Sequence, residues 1–223
     1  MIVVVGGNSF LAASMPDVLG TANSQVLYMS RARPPFAEPS AWIETSYHVS
    51  DGSIDRLVEV GSVSVVIWLA SPDARGLFIN MSHDQIVEGL SEAILFQTMF
   101  AQAVLPKMIA RRHGRFIFAG SVGASLGDVG SLLYTQFKSA QAGLSRGIAI
   151  EYGRYGITSN LIQLGYLGGG MSDAVPQSRQ IEFLARTSTG NPVTKKDFWS
   201  LVEAVIYNSS LNGCEINLDG GFR

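Results

Sequence analysis

Cysteine, histidine and charge are all scarce in this chain. A lone thiol, Cys214, excludes an intrachain disulfide and a thiolate metal cluster. It follows Gly213 at the head of an apolar run, where a buried, inert thiol is expected. His48, His83 and His113 are dispersed without metal-ligand spacing, so no structural or catalytic metal is expected. Charged residues make up 15% of the 223, and the net charge is −2. That balance gives no electrostatic reason to expect nucleic acid or an anionic membrane as a partner. The local basic run Arg111-Arg112-His113 with Arg115 reads as a solvated helix end, where cations complement the dipole. No uninterrupted apolar stretch reaches the ~18 residues of a membrane span, and the chain opens on a strand without a signal-peptide pattern. A cytoplasmic protein is the expectation.

Hydrophobic residues reach 47%, and there are 24 glycines. This composition suits a compact α/β enzyme, and the length suits one domain over 1–223. Short β-branched runs read as buried strands at Met1 to Val5, Val26 to Met29, Ile43 to Val49, Val63 to Leu69, Arg115 to Ala119, Thr158 to Leu164 and Glu215 to Leu218. Helical patterns run from about Ser91 to Arg112 and Leu132 to Tyr152, with further segments in 172–188 and 195–208. Pro34, Pro35 and Pro39 reduce the crossover between the second and third strands to a loop or a very short helix. Strands alternating with helices imply βαβ units and a parallel sheet covered on both faces.

The chemistry is carried by Tyr134 and Lys138. A spacing of four places them one turn apart on a single helix face. A pair like this is commonly no more than a solvated contact worth tenths of a kcal/mol. Its other reading is that an ammonium beside a phenol favours the phenolate and lowers a pKa that starts near ~10. Such a tyrosine exchanges a proton with a substrate oxygen near neutral pH. Ser121, at the end of the strand Arg115 to Ala119, is placed to hold the same oxygen.

With these residues go other ordered signals. Gln102 to Met108 resembles the end of a long helix, and Arg112-His113-Gly114-Arg115 leads to Gly120-Ser121. Gly156-Ile157-Thr158-Ser159-Asn160 and Asn217-Leu218-Asp219-Gly220-Gly221 follow. Together they resemble the short-chain dehydrogenase/reductase family over essentially the whole chain, in the compact form similar to 3-oxoacyl reductases. The resemblance implies a Rossmann-like, doubly wound parallel sheet of about seven strands with helices on both faces. It implies NAD(P)H-dependent reduction of a small keto compound, with Tyr134 as general acid. Lys138 would lower the pKa of Tyr134 and bond the nicotinamide ribose, and Ser121 would orient the carbonyl. The nucleotide would lie on Gly6, Asn8, Ser9, Phe10 and Leu11 after the first strand and Ser30 and Arg31 after the second. Val49, Ala70 and Leu167 would bound it after the third, fourth and sixth, together with Tyr134 and Lys138. A homodimer or homotetramer built on the two long helices is implied as well.

Several positions depart from the family pattern. Phe10 and Ala12 stand where glycines are expected in Val5 to Ala12. Against the sugar-modifying branch, T-G-G-x-G-F-x-G, Phe10 falls in register and Ser9 and Ala12 replace glycines. Leu69-Ala70-Ser71 replaces N-A-G, and His48 stands for the usual Asp, as a surface residue or an adenine-edge contact. Ala93 replaces the helix asparagine, and Leu164 to Gly169 lacks the Pro and Thr of P-G-x-x-x-T. Tyr166 faces substrate or packs. No acid follows the second strand, where one would bind the ribose hydroxyls, and Arg31 and Arg33 can pair with a 2′-phosphate. NADPH is therefore expected over NADH. Two other functions remain open: a cofactor-impaired pseudoenzyme acting as a binding scaffold, and dehydration or epimerisation of a nucleotide-linked sugar.

Overall fold

The expected apolar runs form the centre of the molecule as β1 (Ile2–Val5), β2 (Val26–Ser30), β3 (Trp42–Glu44), β4 (Val65–Trp68), β5 (Gly114–Ala119), β6 (Ile157–Leu164) and β7 (Glu215–Leu218). The computed structural model describes residues 1–15, 25–72, 74–170 and 175–223. All seven strands are parallel, in the order β3-β2-β1-β4-β5-β6-β7. The order reverses between β1 and β4, so the carboxyl ends of these two strands flank the crevice where open α/β sheets bind ligands.

Helices cover both faces: α1 (Ser53–Val60), α2 (His83–Leu90), α3 (Gln97–Arg111), α4 (Val122–Leu126), α5 (Leu132–Tyr152), α6 (Gln177–Ala185) and α7 (Lys195–Tyr207). Because side chains alternate along a strand, β1 divides its valines between two cores. Val3 and Val5 join Leu57 of α1, Phe100 and Val104 of α3 and Ile148 of α5. Val4 joins Leu11, Met15 and the α7 residues Phe198, Trp199 and Val202 on the opposite face.

Four expectations are corrected. The strand expected over 43–49 stops at Glu44, because Asp51 turns the chain back. Its carboxylate accepts from the Thr45 hydroxyl at 2.9 Å and from the Ser46 amide at 2.7 Å. The helix expected from Ser91 starts eight residues earlier, at His83, behind a capping box. There the Ser82 hydroxyl accepts from the Gln85 amide, and the Gln85 side chain accepts from the Ser82 amide. A π-helical turn at Ser91–Phe96 joins α2 to α3.

Arg115 is not solvated. It is buried and donates to the carbonyls of Ile206 at 3.0 Å, Gly114 at 2.8 Å and Gly156 at 3.0 Å. Cys214 is only half-buried, since β7 lies at the sheet edge.

His83–Arg111 has the length and composition of a membrane span, with a mean hydropathy of 1.3. Phe96, Phe100, Val104 and Met108 instead pack it onto the sheet as a core helix. The helix α5 has the bounds its pattern predicts, and α6 occupies 177–185 of the segment expected over 172–188. Residues 172–174 lie outside the described residues.

Candidate active site

β5 delivers Ser121. One residue before it, a side chain on Gly120 would come within 2.6 Å of the Gln163 Oε1 on neighbouring β6. That oxygen accepts the Ser121 amide at 2.8 Å, while the Gln163 Nε2 donates to Glu215 at 3.1 Å. Ser121 occupies the N-cap position of α4, with extended backbone, but its hydroxyl caps nothing. It lies close enough to the Tyr134 phenol to draw that group's pKa down, so the helix start and the neighbouring strand together bring Ser121 toward α5.

Burial pushes the Tyr134 phenol above its ordinary pKa. Nearby Ser121 and the charge of Arg75 pull the other way without cancelling it. This is the reverse of the direction expected from Lys138, and the reason is geometric. The Lys138 ammonium lies 5.9 Å from the Tyr134 ring centroid and donates to the Ala119 carbonyl at 2.7 Å. Lys138 is 7% exposed, and burial pushes it down to about 8. Desolvation dominates both groups, leaving a protonated phenol and an ammonium close to neutralisation at physiological pH.

The sheet's carboxyl edge carries the residues expected to hold a nucleotide. Gly6 adopts φ +89°, and a Cβ there would lie 2.6 Å from the Ala70 backbone nitrogen, so only glycine fits between β1 and β4. The Ser9 hydroxyl accepts the Ala12 amide at 3.3 Å and so partly caps the short helical turn that follows. Among the described residues, the amides of Phe10 and Leu11 have no backbone or side-chain acceptor. Asn8 is exposed. The Phe10 ring lies against Gly169 and Gly170, where a Cβ on Gly169 would meet its Cζ at 2.4 Å. The Lys195 ammonium sits 3.8 Å above the ring centroid. Leu167 pairs with Val193 in an isolated bridge, just before these glycines.

At the end of β2, Ser30 is buried and committed to its own turn. Its hydroxyl donates to Ala32 at 2.7 Å and accepts from the Trp42 Nε1 at 3.2 Å. Arg31 is ion-paired with Glu92, and its guanidinium lies 5.3 Å over the Tyr47 ring. Val49 packs half-buried against the first core. The structure thus brings Ser121 to Tyr134, with Lys138 beside it, and Gly6 to Ala70, while it directs Ser30 and Val49 into packing.

Three residues were missed from the sequence: Gln163, Arg75 and Glu92. Gln163 is a polar side chain inside an apolar strand and Glu92 an acid on a buried helix face, both readable as anomalies. Arg75 had no signal in its loop. A cavity of about 540 Å3 is lined by Arg31, Arg75, Glu88, Glu92, Met81 and Leu133.

The comparisons agree with this geometry. The profile of the family described as short chain dehydrogenase matches residues 1–180. The chain is 24% identical over 229 residues to the 3-oxoacyl-[acyl-carrier-protein] reductase MabA of Mycobacterium tuberculosis, covering 99% of this chain and 91% of that protein. It is 32% identical over 123 residues to the oxidoreductase UcpA of Escherichia coli, covering 55% of this chain and 47% of that protein. The chain thus spans about half the length of UcpA in that match. A crystal structure assigned as an NAD(P) dependent gluconate 5-dehydrogenase of Beutenbergia cavernae, with NADP bound at low occupancy, superposes with a TM-score of 0.86 at 21% identity. That superposition covers 99% of this chain and 95% of that one. With the matched profile and the parallel sheet order in hand, the chain belongs to the short-chain dehydrogenase family.

Proposed function

We propose that the protein reduces the carbonyl group of a small keto compound, with NADP(H) as the nicotinamide nucleotide. The observation that carries this reading is the half-buried Tyr134 phenol, with Ser121 beside it and Lys138 one helical turn away. The residues at the carboxyl edge fit such a nucleotide. Gly6 permits close backbone approach to Ala70, and the free amides of Phe10 and Leu11 are donors for a phosphate. Gly6, Ser9, Phe10 and Leu11 would hold the diphosphate, Arg31 the adenosine ribose end, and Lys138 the nicotinamide ribose. When bound, the nucleotide supplies hydride to the carbonyl carbon.

The chain's own residues manage the oxygen. The Ser121 hydroxyl donates to the carbonyl oxygen and fixes its position. The Tyr134 O–H donates its proton to that oxygen as negative charge develops there, leaving a phenolate. The Lys138 ammonium stabilises that phenolate and is itself held by the Ala119 carbonyl. A phenol whose pKa is raised by burial is fully protonated at neutral pH and serves as the donor in the reductive direction. The net charge of −2 supports a small-molecule keto or hydroxy partner rather than nucleic acid or an anionic membrane. Exposed Leu95, Met99, Leu132 and Ile150 on the long helices support a homodimer or homotetramer.

A thermal-shift titration with NADPH and NADH, followed by NADPH oxidation over a panel of ketones and keto acids, tests the reading. Saturable stabilisation of about 2.7 kcal/mol at one hundred times Kd and carbonyl-dependent oxidation are expected. A second reading rests on Phe10: its ring, packed on Gly169 and Gly170, makes a side-chain joint in place of a glycine. A scaffold of this kind would show no shift with either nucleotide at millimolar concentration.

A further inference from the structure

An acid that selects against a 2′-phosphate is ordinarily sought directly after the second strand, where this chain has none. The structure supplies one from another element. Glu92, in the π-helical turn between α2 and α3, reaches Arg31 across the sheet's carboxyl edge. The pairing is lopsided: the Arg31 side chain is 59% exposed and that of Glu92 only 7%. Tyr47 forms a third member, its buried ring under the guanidinium. Arg31 is thus pinned between a buried carboxylate and an aromatic face, at the end of the strand where the adenosine ribose belongs.

We infer that Glu92 is a specificity-determining residue that competes with the ribose 2′-phosphate for Arg31 and so restrains the preference for NADP(H) over NAD(H). This rests on the nucleotide-dependent reading above. A 2′-phosphate can use Arg31 as a charge-assisted donor only by drawing it from Glu92. The released carboxylate then remains buried, facing Glu88 from α2 and His48 from the loop after β3, with Tyr47 beside it and Lys138 on the wall of the same small cavity. A buried carboxylate without its cation is unfavourable, and that cost falls on NADPH alone. NADH has no group that displaces Arg31, so its affinity is indifferent to Glu92. Specificity is then a difference of two affinities, set partly by a residue that need touch neither nucleotide.

The test is a binding titration of the full chain by intrinsic fluorescence with NADPH and NADH, repeated with 2′,5′-ADP and 5′-AMP as probes of the phosphate alone. Glu92→Gln should tighten NADPH and 2′,5′-ADP by about fivefold and leave NADH and 5′-AMP within twofold. Arg31→Ala, which leaves Glu92 unpaired and is therefore read beside its melting temperature, should weaken NADPH about tenfold relative to NADH. In the double variant the gain from Glu92→Gln should vanish, because its only route is Arg31. If both nucleotides bind and Glu92→Gln leaves their ratio unchanged, or weakens NADPH, the assignment of Glu92 is overturned and the reductase reading stands. An unchanged ratio in Arg31→Ala has the same meaning. If neither nucleotide binds the unaltered chain, the reductase reading falls and this inference with it.

Discussion

At the carboxyl end of β5 the reactive groups are side chains, whereas at the ends of β1 and β2 they are backbone amides and a paired charge. Ser121, Tyr134 and Lys138 come from one strand end and one helix, and their geometry follows from sequence spacing plus the Ser121–Gln163 bond. The edge proposed for the nucleotide is assembled from Gly6, Ala70, Glu92 and Gly169, which lie far apart in sequence. A proton donor must be one particular side chain. A phosphate cradle only requires that amides be exposed and that the space be right. Under the proposed function the first region would tolerate little substitution, while the second, with Ser9, Phe10 and Ala12 in place of glycines, would still present the Phe10 and Leu11 amides.

The comparison breaks most sharply at Tyr134. Tyr134→Phe removes the proton donor and should lower kcat about 1000-fold, with the melting temperature and nucleotide affinity unchanged. Retained turnover in a ketone assay would contradict the assigned acid. On the other side, Gly6→Ala should act through structure rather than chemistry. With φ at +89° and a Cβ 2.6 Å from the Ala70 nitrogen, it should cost about 3–4 kcal/mol, read as a fall in the denaturant midpoint together with lost nucleotide binding.

Lys138→Met sharpens the contrast by separating stability from catalysis. The lysine is pushed down to about 8 from an ordinary 10.5, so the unfolded chain holds that proton more tightly than the folded one. Below pH 8 the folded state therefore carries the full penalty, and stability rises as pH climbs from about 8 to 10.5. Lys138→Met should stabilise the nucleotide-free protein by about 2–3 kcal/mol at pH 7, lose that gain above pH 10.5, and abolish turnover. Calorimetry at pH 7 and pH 10.5 checks the sign; a destabilised variant at pH 7 would reverse the argument. The smallest effect is expected at Gln163. Gln163→Leu frees the Ser121 amide and should reduce kcat about tenfold with little change in KM.

Legibility followed the same division. Six of the seven strands, the bounds of α5 and the placing of Tyr134 and Lys138 on one helix could be read directly, because apolar runs and a spacing of four are local signals. The short β3 could not, because its end is decided by Asp51, whose hydrogen bonds reach back to Thr45 and Ser46. The charge run ending at Arg115 misled for a similar reason: three carbonyls from separate elements bury the guanidinium. The direction of the Tyr134 shift was missed because spacing gives the proximity of Lys138 but not the depth of burial. Arg31 was legible as a cation at the end of β2, and its partner was not, since Glu92 lies 61 residues away.

The π-helical turn at Ser91–Phe96 amounts to one residue inserted into an otherwise continuous α-helix. Everything on its amino-terminal side is rotated by about 100° relative to an uninterrupted helix, while α3 keeps its seat on the sheet. Removing a single residue at Ile94 would undo that rotation and swing Glu92 out of line with Arg31 without altering any side chain of the pair. If Glu92 governs nucleotide choice as inferred, helix length here becomes a heritable setting for it, which deletions as well as substitutions would move.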